Sequence, residues 1–128
     1  MIRGIGTDIL QISRMEQALE RTPALPQRIL STAEYEQYLK VSNPPLFLAK
    51  RFSAKEAVSK ALGTGIGRGV SWKHIEITKD MNGRPEVSLS EGAAERAERL
   101  EITSMHLSYS DEKDYIVAFV IAEGERVL

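Results

Sequence analysis

Two carboxylates, one lysine and one histidine have the types and spacing to do chemistry in this chain. Asp8 stands near the end of an N-terminal apolar stretch, Ile2 to Leu10, and Glu56 falls in the middle of the longest helical segment, beside its apolar arc. Carboxylates in such places are costly unless they are paired or bind a cation. Two of them, completed by water and phosphate oxygens, are the usual surroundings of Mg²⁺. The plainer alternative pairs Glu56 with Lys60, four residues on, and lets Asp8 cap a turn; spacing alone favours it.

Lys60 is followed by Gly63-Thr64-Gly65-Ile66-Gly67-Arg68-Gly69. Loop amides and an ammonium both favour an anion. This is not the Walker arrangement, because the lysine precedes the glycines, and a helix C-terminus turns its carbonyls toward the loop. Alone, the glycines read first as a helix stop and a turn. His106, Ser108 and Ser110 alternate with Met105, Leu107 and Tyr109, so the polar three share one face of a strand. A histidine there could act as a general base, orient a phosphate, or simply face solvent. No Gly-x-Ser-x-Gly pattern is present. Arg14, Arg21 and Arg28 recur every seven residues, but Pro23 and Pro26 interrupt any single helix, so solvated arginines are the plain reading. Met15 beside them is core by default, or an apolar contact in a partner-binding patch.

The elements that must hold these side chains follow from local signals. Ile2 to Leu10 reads as a strand in which Gly4 and Gly6 allow close backbone approach. Ser13 to Glu16 and Ser31 to Glu34 both fit the capping-box pattern, opening a helix that stops before Pro23 and another that runs toward Lys40. Asn43-Pro44 opens the longest helix, which runs to Leu62 with Gly63 as its stop. At 100° per residue, Phe47, Ala54, Ala57, Val58 and Ala61 share one arc, the predicted core face. His74 to Thr78 and Pro85 to Leu89 form a hairpin around Asn82-Gly83. Ser90 to Leu100 reads as a charged helix with a Glu95–Arg99 pair. Two last strands lie near Thr103–Ser110 and Asp114–Glu123. The apolar run Tyr115 to Ala122 suits a central strand buried on both faces, in part by a second subunit. Helices and hairpin strands segregate along the chain, which predicts an α+β fold with a mainly antiparallel sheet.

Composition bounds the function. The 128 residues are expected to form a single domain, 1–128, and 42% hydrophobic with 27% charged residues is ordinary for a globular protein. The absence of cysteine excludes a disulfide scaffold, a thiolate metal site and a cysteine nucleophile. The net charge of -1 argues against a general nucleic-acid binder. It hides an asymmetry: residues 1–79 carry 12 basic and 7 acidic groups, residues 80–128 carry 5 and 11. That split suits a face that meets an anion or an acidic partner, or equally two halves that interleave in space so that the field cancels. No stretch approaches the roughly 20 apolar residues of a membrane span, and the N-terminus lacks a signal-peptide pattern, so a cytoplasmic location is expected.

Taken together, Gly4-Ile-Gly-Thr-Asp8-Ile, the run Phe47 to Ile66 with its Arg51-Phe-x-x-Lys55-Glu56-Ala-x-x-Lys60-Ala-x-Gly63-Thr-Gly65 core, Asn82-Gly-Arg84-Pro85 and Met105-His106-Leu-Ser108 occur in an order that resembles the holo-acyl-carrier-protein synthases, the small bacterial class of 4′-phosphopantetheinyl transferases. The resemblance covers nearly the whole chain. It implies transfer of the phosphopantetheine arm of coenzyme A to a serine of acyl carrier protein, in fatty acid biosynthesis, with adenosine 3′,5′-bisphosphate leaving. By the same resemblance Asp8 and Glu56 match the Mg²⁺ ligands, Lys60 the lysine near the reacting phosphate, and His106 a site histidine with Ser108 its neighbour. Arg51 and Lys55 become candidates for coenzyme A phosphate contacts. Gly63, Thr64, Gly65 and Ile66 match the nucleotide-lining loop, and Arg84 and Pro85 the segment near the adenine. Arg14, Met15, Arg21 and Arg28 fall in the region that holds the acidic carrier, and a homotrimer with sites between subunits is implied. Where many members carry a second histidine five residues after the first, this chain has Asp111. His106 is therefore the only imidazole of that strand, and a metal-bound or carboxylate-assisted water is an equal candidate for the base. Two rival classes are a non-catalytic module that binds an acidic protein through the basic N-terminal region, and a Mg²⁺-dependent phosphohydrolase.

Overall fold

The computed structural model describes residues 1–125. Three strands, β1 (Ile2–Gln11), β4 (Ser104–Asp111) and β5 (Tyr115–Glu123), form an antiparallel sheet in the order β1-β5-β4. A separate hairpin pairs β2 (Ile75–Lys79) with β3 (Pro85–Leu89). Helices α1 (Ile12–Arg21), α2 (Leu25–Ile29), α3 (Thr32–Tyr38), α4 (Pro44–Ala61) and α5 (Glu91–Arg99) complete the α+β architecture. Among the described residues no helix is long and apolar enough to cross a membrane.

Local chemistry accounts for most boundaries. Ser31 accepts from the Glu34 amide at 3.3 Å while Glu34 Oε1 accepts from the Ser31 amide at 2.9 Å, the reciprocal box predicted at the start of α3. Asn43 Oδ1 accepts from the Leu46 amide at the start of α4. Asp80 Oδ1 accepts from the amides of Asn82 and Arg84, and Gly83 takes the positive φ of 79° that this turn needs. Two predicted starts are corrected. Helix α1 begins at Ile12, and Gln11 makes no side-chain cap. Strand β1 runs directly into this helix, and the Ile12 amide already donates to Asp114 O at 2.8 Å, which leaves Ser13 inside the first turn. His74 belongs to a 3-10 turn, Trp72–His74, ahead of β2.

Helix α4 is the spine. Ala54, Ala57, Val58 and Ala61 are buried as predicted, in a core cluster with Ile75, Ile77, Ala118 and Val120. Burial does not stop at that arc, because Leu48 and Ala49 pack on the other side with Met15, Ile29, Leu30 and Ile116. Phe47 lies half-buried against this second cluster, away from the predicted arc. The helix is enclosed by sheet and hairpin on one side and by α1–α3 on the other, so a single amphipathic stripe does not describe it.

Strand β5 is central, as predicted, but only one of its faces is covered within the chain. Ile116, Ala118, Val120 and Ala122 are fully buried, whereas Tyr115, Val117 and Phe119 stay 46%, 44% and 39% exposed. Pairing puts Ile9 and Ile5 of β1 beside Val117 and Ile121, and both isoleucines are exposed as well.

Candidate active site

The sheet approaches α4 through glycine. A Cβ on Gly4 would sit 2.0 Å from Ala61 O, and one on Gly6 would sit 1.8 Å from Ala57 O. Both distances are impossible for a side chain, so only glycine lets β1 lie directly on the helix backbone. Side chains alternate along a strand, so Asp8 points to the same face as Gly4 and Gly6, toward α4. There Lys60 Nζ donates to Thr7 O at 3.0 Å and lies 3.4 Å from Asp8 Oδ1. The Asp8 side chain is mostly buried (15% exposed), while Lys60 is half-exposed. The Gly-x-Gly-x-Asp spacing thus brings Asp8 and Lys60 together across 52 residues.

Glu56 sits one helical turn before Lys60, half-buried. It does not pair with Lys60, which reaches the other way. Its Oε1 accepts from the indole Nε1 of Trp72 at 3.2 Å. Among the described residues no group of three or more His, Cys, Asp and Glu side chains gathers as a metal cluster.

The glycine-rich loop follows directly. The amides of Thr64 and Gly65 both donate to Ser59 O, folding the loop back under α4, and Thr64 Oγ1 donates to Gly65 O. Gly65, Gly67 and Gly69 have positive φ with open space around the missing Cβ, so backbone conformation, not close packing, requires glycine at these three. Ile66 packs against the core and is half-buried.

Lys55 is a correction. Its side chain is fully buried, and Nζ donates to Glu34 Oε1 at 2.6 Å, to Ile29 O at 2.7 Å and to Trp72 O at 3.1 Å. All three N–H groups of the ammonium are used inside the chain, so none remains for a coenzyme A phosphate. Burial pulls its pKa down, and the Glu34 carboxylate works against that fall. Arg51 is also largely internal. Its guanidinium lies 4.6 Å over the Phe47 ring and donates to Gln37 Oε1. Its Nε, 3.6 Å from Glu34, has no hydrogen-bond partner. The residue lines a cavity of about 210 Å³ with Asn43, Lys50, Lys79 and Tyr109.

His106 lies elsewhere. It pairs in register with Ile121, whose other neighbour is Ile5, so it occupies the sheet face opposite Asp8 and the far edge strand. Its Nε2 lies 3.0 Å from Glu123 Oε1, and this hydrogen bond holds the Glu123 carboxyl below the usual range. Ser108 shares that exposed face, as the alternation predicts. Arg84, Pro85 and His106 line one cavity of about 460 Å³ between β3 and β4. Within one chain, then, the Asp8–Glu56–Lys60 group and the Arg84–Pro85–His106 group are separate. Asp111, the departure from the family pattern, pairs with Lys50 at 3.3 Å.

Arg14, Arg21 and Arg28 are all exposed. Met15 is the second correction: at 3% exposure it packs with Ile29, Leu48 and Ile116, so it is core and not a partner contact. Two residues with central roles escaped the sequence reading. Glu34 was predicted only as a capping residue, but its second oxygen accepts from the buried Ile77 amide at 2.9 Å. Trp72 carried no assignment, although it is the sole tryptophan and follows a Ser71 that caps the turn.

Comparison with known proteins shows the family. The family model for the 4′-phosphopantetheinyl transferase superfamily matches residues 4–120. The holo-[acyl-carrier-protein] synthase of Shewanella piezotolerans is 51% identical, over 97% of this chain and 100% of that protein. Among solved structures, the holo-[acyl-carrier-protein] synthase of Neisseria meningitidis superposes with a TM-score of 0.90 at 41% identity, covering 96% of this chain and 99% of that one. That of Bacillus anthracis, in complex with CoA (3′,5′-ADP), gives 0.82 at 38% identity, covering 98% and 99%. Matched by that family model over most of its length and about half identical to a relative it covers completely, the chain belongs to the 4′-phosphopantetheinyl transferase superfamily and is an enzyme of the holo-[acyl-carrier-protein] synthase kind.

Proposed function

We propose that this chain transfers the 4′-phosphopantetheine arm of coenzyme A to a serine hydroxyl of apo-acyl carrier protein, with Mg²⁺ held by Asp8 and Glu56 and adenosine 3′,5′-bisphosphate as the second product. The observation that carries this reading is the Asp8–Lys60 juxtaposition across the β1–α4 contact, with Glu56 one turn away. The donor set fits the ion. It consists of hard carboxylate oxygens only, and two protein ligands leave the remaining positions to water and substrate phosphate, as Mg²⁺ prefers. When bound, the ion neutralises pyrophosphate charge and polarises the phosphorus under attack.

The serine oxygen forms a bond to the phosphorus bearing the pantetheine arm, and the bond from that phosphorus to the bridging oxygen breaks. Lys60 is half-exposed, with its amine anchored on Thr7 O and beside Asp8. It offers its remaining donor where charge grows on the departing phosphate. The serine proton passes to His106 or to a carboxylate-assisted water. The loop Gly63-Thr64-Gly65-Ile66 lines the nucleotide, Arg84 and Pro85 flank the adenine, Ser108 lies beside His106, and Arg51 is the internal candidate for a phosphate contact.

The separation of the two residue groups supports an assembly in which His106 and Arg84 of one copy meet Asp8 and Lys60 of another. Ile5, Ile9, Tyr115, Val117 and Phe119 supply an exposed apolar sheet face suited to such a contact, in the homotrimer that family membership suggests. Exposed Arg14, Arg21 and Arg28 suit an acidic carrier and make its binding salt-sensitive. The reading places the enzyme in the cytoplasm, in service of fatty acid synthesis. Its test is a mass measurement on apo-acyl carrier protein incubated with the enzyme, coenzyme A and Mg²⁺. The carrier gains one phosphopantetheine, and a chelator abolishes the gain. An unmodified carrier beside an active control enzyme would refute the activity, and a gain that persists in chelator would refute the role of the metal.

A further inference from the structure

Among the described residues the Glu56 carboxylate has one donor, and it is an unusual one. Trp72 opens the 3-10 turn between the glycine-rich loop and β2. Two contacts fix its place. Its carbonyl accepts from the buried Lys55 ammonium at 3.1 Å, which ties the turn to the Glu34 cluster. Its ring packs on Phe52 with centroids 6.0 Å apart, one helical turn before Glu56. So held, the indole directs its only polar atom at Glu56 Oε1, 3.2 Å away. Among the described residues Oε2 of Glu56 has no hydrogen-bond donor.

We infer that Trp72 is a positioning residue for Glu56: the indole N–H commits one carboxylate oxygen and leaves the other aimed outward for the divalent cation. The inference rests on the proposed metal role of Glu56 and adds to it a residue that touches neither cation nor substrate. The principle is general, since donors to a ligating carboxylate set its orientation and tune metal affinity. The assignment also gives Lys55 a purpose consistent with its burial. It anchors the turn whose side chain orients the ligand next to it in sequence.

Trp72→Phe removes the donor but keeps a ring against Phe52. Mn²⁺ serves as probe, and its affinity is read from the loss of the free-ion electron paramagnetic resonance signal with coenzyme A present. Wild type, Trp72→Phe and Glu56→Gln are compared after thermal melting shows each is folded. The expected result is about tenfold weaker Mn²⁺ binding in Trp72→Phe. The Mg²⁺ concentration for half-maximal transfer should rise alongside it, with most of kcat recovered at saturating Mg²⁺. Unchanged affinity in Trp72→Phe, with Glu56→Gln weakened, overturns the inference and leaves the metal reading intact. Unchanged affinity in both variants overturns the two together. A second measurement needs no change at position 72. Trp72 is the only tryptophan, so Mn²⁺ bound at Glu56 should change the intrinsic fluorescence of the wild-type enzyme. Binding with no change in emission overturns the inference together with the metal reading of Glu56.

Discussion

Lys55 and Lys60 lie five residues apart on α4 and end in opposite environments. Five residues turn the helix by about 140°, so one side chain enters the crevice beneath α2, α3 and the 3-10 turn, and the other emerges at the edge of β1. Lys55 is fully buried and spends its three donors on Glu34, Ile29 and Trp72. Lys60 is half-exposed, holds one carbonyl, and rests beside a mostly buried carboxylate. The difference separates structure from chemistry. A lysine whose N–H groups are all consumed in a dry crevice stabilises the fold. One with a spare donor next to an acidic group can meet an anionic substrate. The resemblance at first grouped both lysines as ligands of one cofactor, and burial divides them.

The strongest way to break this contrast is to empty the crevice. Lys55→Met should cost about 3–5 kcal/mol in urea denaturation, because the buried Glu34 carboxylate loses its closest partner. Adding Glu34→Gln should return part of that loss, a coupling that a double-mutant cycle measures. Lys60→Ala should show the reverse profile. Transfer to carrier should fall by roughly 10²–10³-fold, as when one donor to developing negative charge is removed. Stability should change by less than about 1 kcal/mol, since the Lys60 ammonium is half-exposed and solvent screens its pairing with Asp8.

Gly6→Ala tests how the Lys60 side is assembled. The new Cβ would collide with Ala57 O, so strand and helix must part, at about 1–3 kcal/mol in thermal or chemical unfolding. Transfer should fall with it as Asp8 is drawn from Lys60. The smallest effect concerns the far edge of the sheet. His106→Ala should let the Glu123 carboxyl titrate closer to its ordinary value, as read by carbon NMR. The sign is fixed by the depressed folded value. The contact contributes above the unfolded carboxylate pKa of about 4.3 and is lost as pH falls through the lower folded one.

Local order was legible where local physics sets it. The Ser31 box, the Asn43 start, the Gly63 stop and the Asn82-Gly83 turn all depend on groups within a few residues of one another, and they stand as predicted. The Ser13 box failed because the Ile12 amide finds Asp114, about a hundred positions away in sequence. The α4 arc stands at Ala54, Ala57, Val58 and Ala61 but not at Phe47. It could not show that a second core, built from α1 and α2, would cover the opposite side and enclose Arg51 and Lys55.

By itself, the sequence determined most of the elements though not α2 or the 3-10 turn, the α+β class, the family and the identity of the chemical groups. It also marked Gly4 and Gly6 as places of close backbone approach, and the structure showed that what approaches is α4, on the face that Asp8 shares. The tertiary structure alone decided which groups are free to act. Burial took Lys55 and Met15 out of solvent, a distant turn brought Trp72 to Glu56, and strand register put His106 on the face away from Asp8. Each outcome depends on desolvation or on contact between segments remote in sequence, and neither is encoded in the spacing of neighbouring residues.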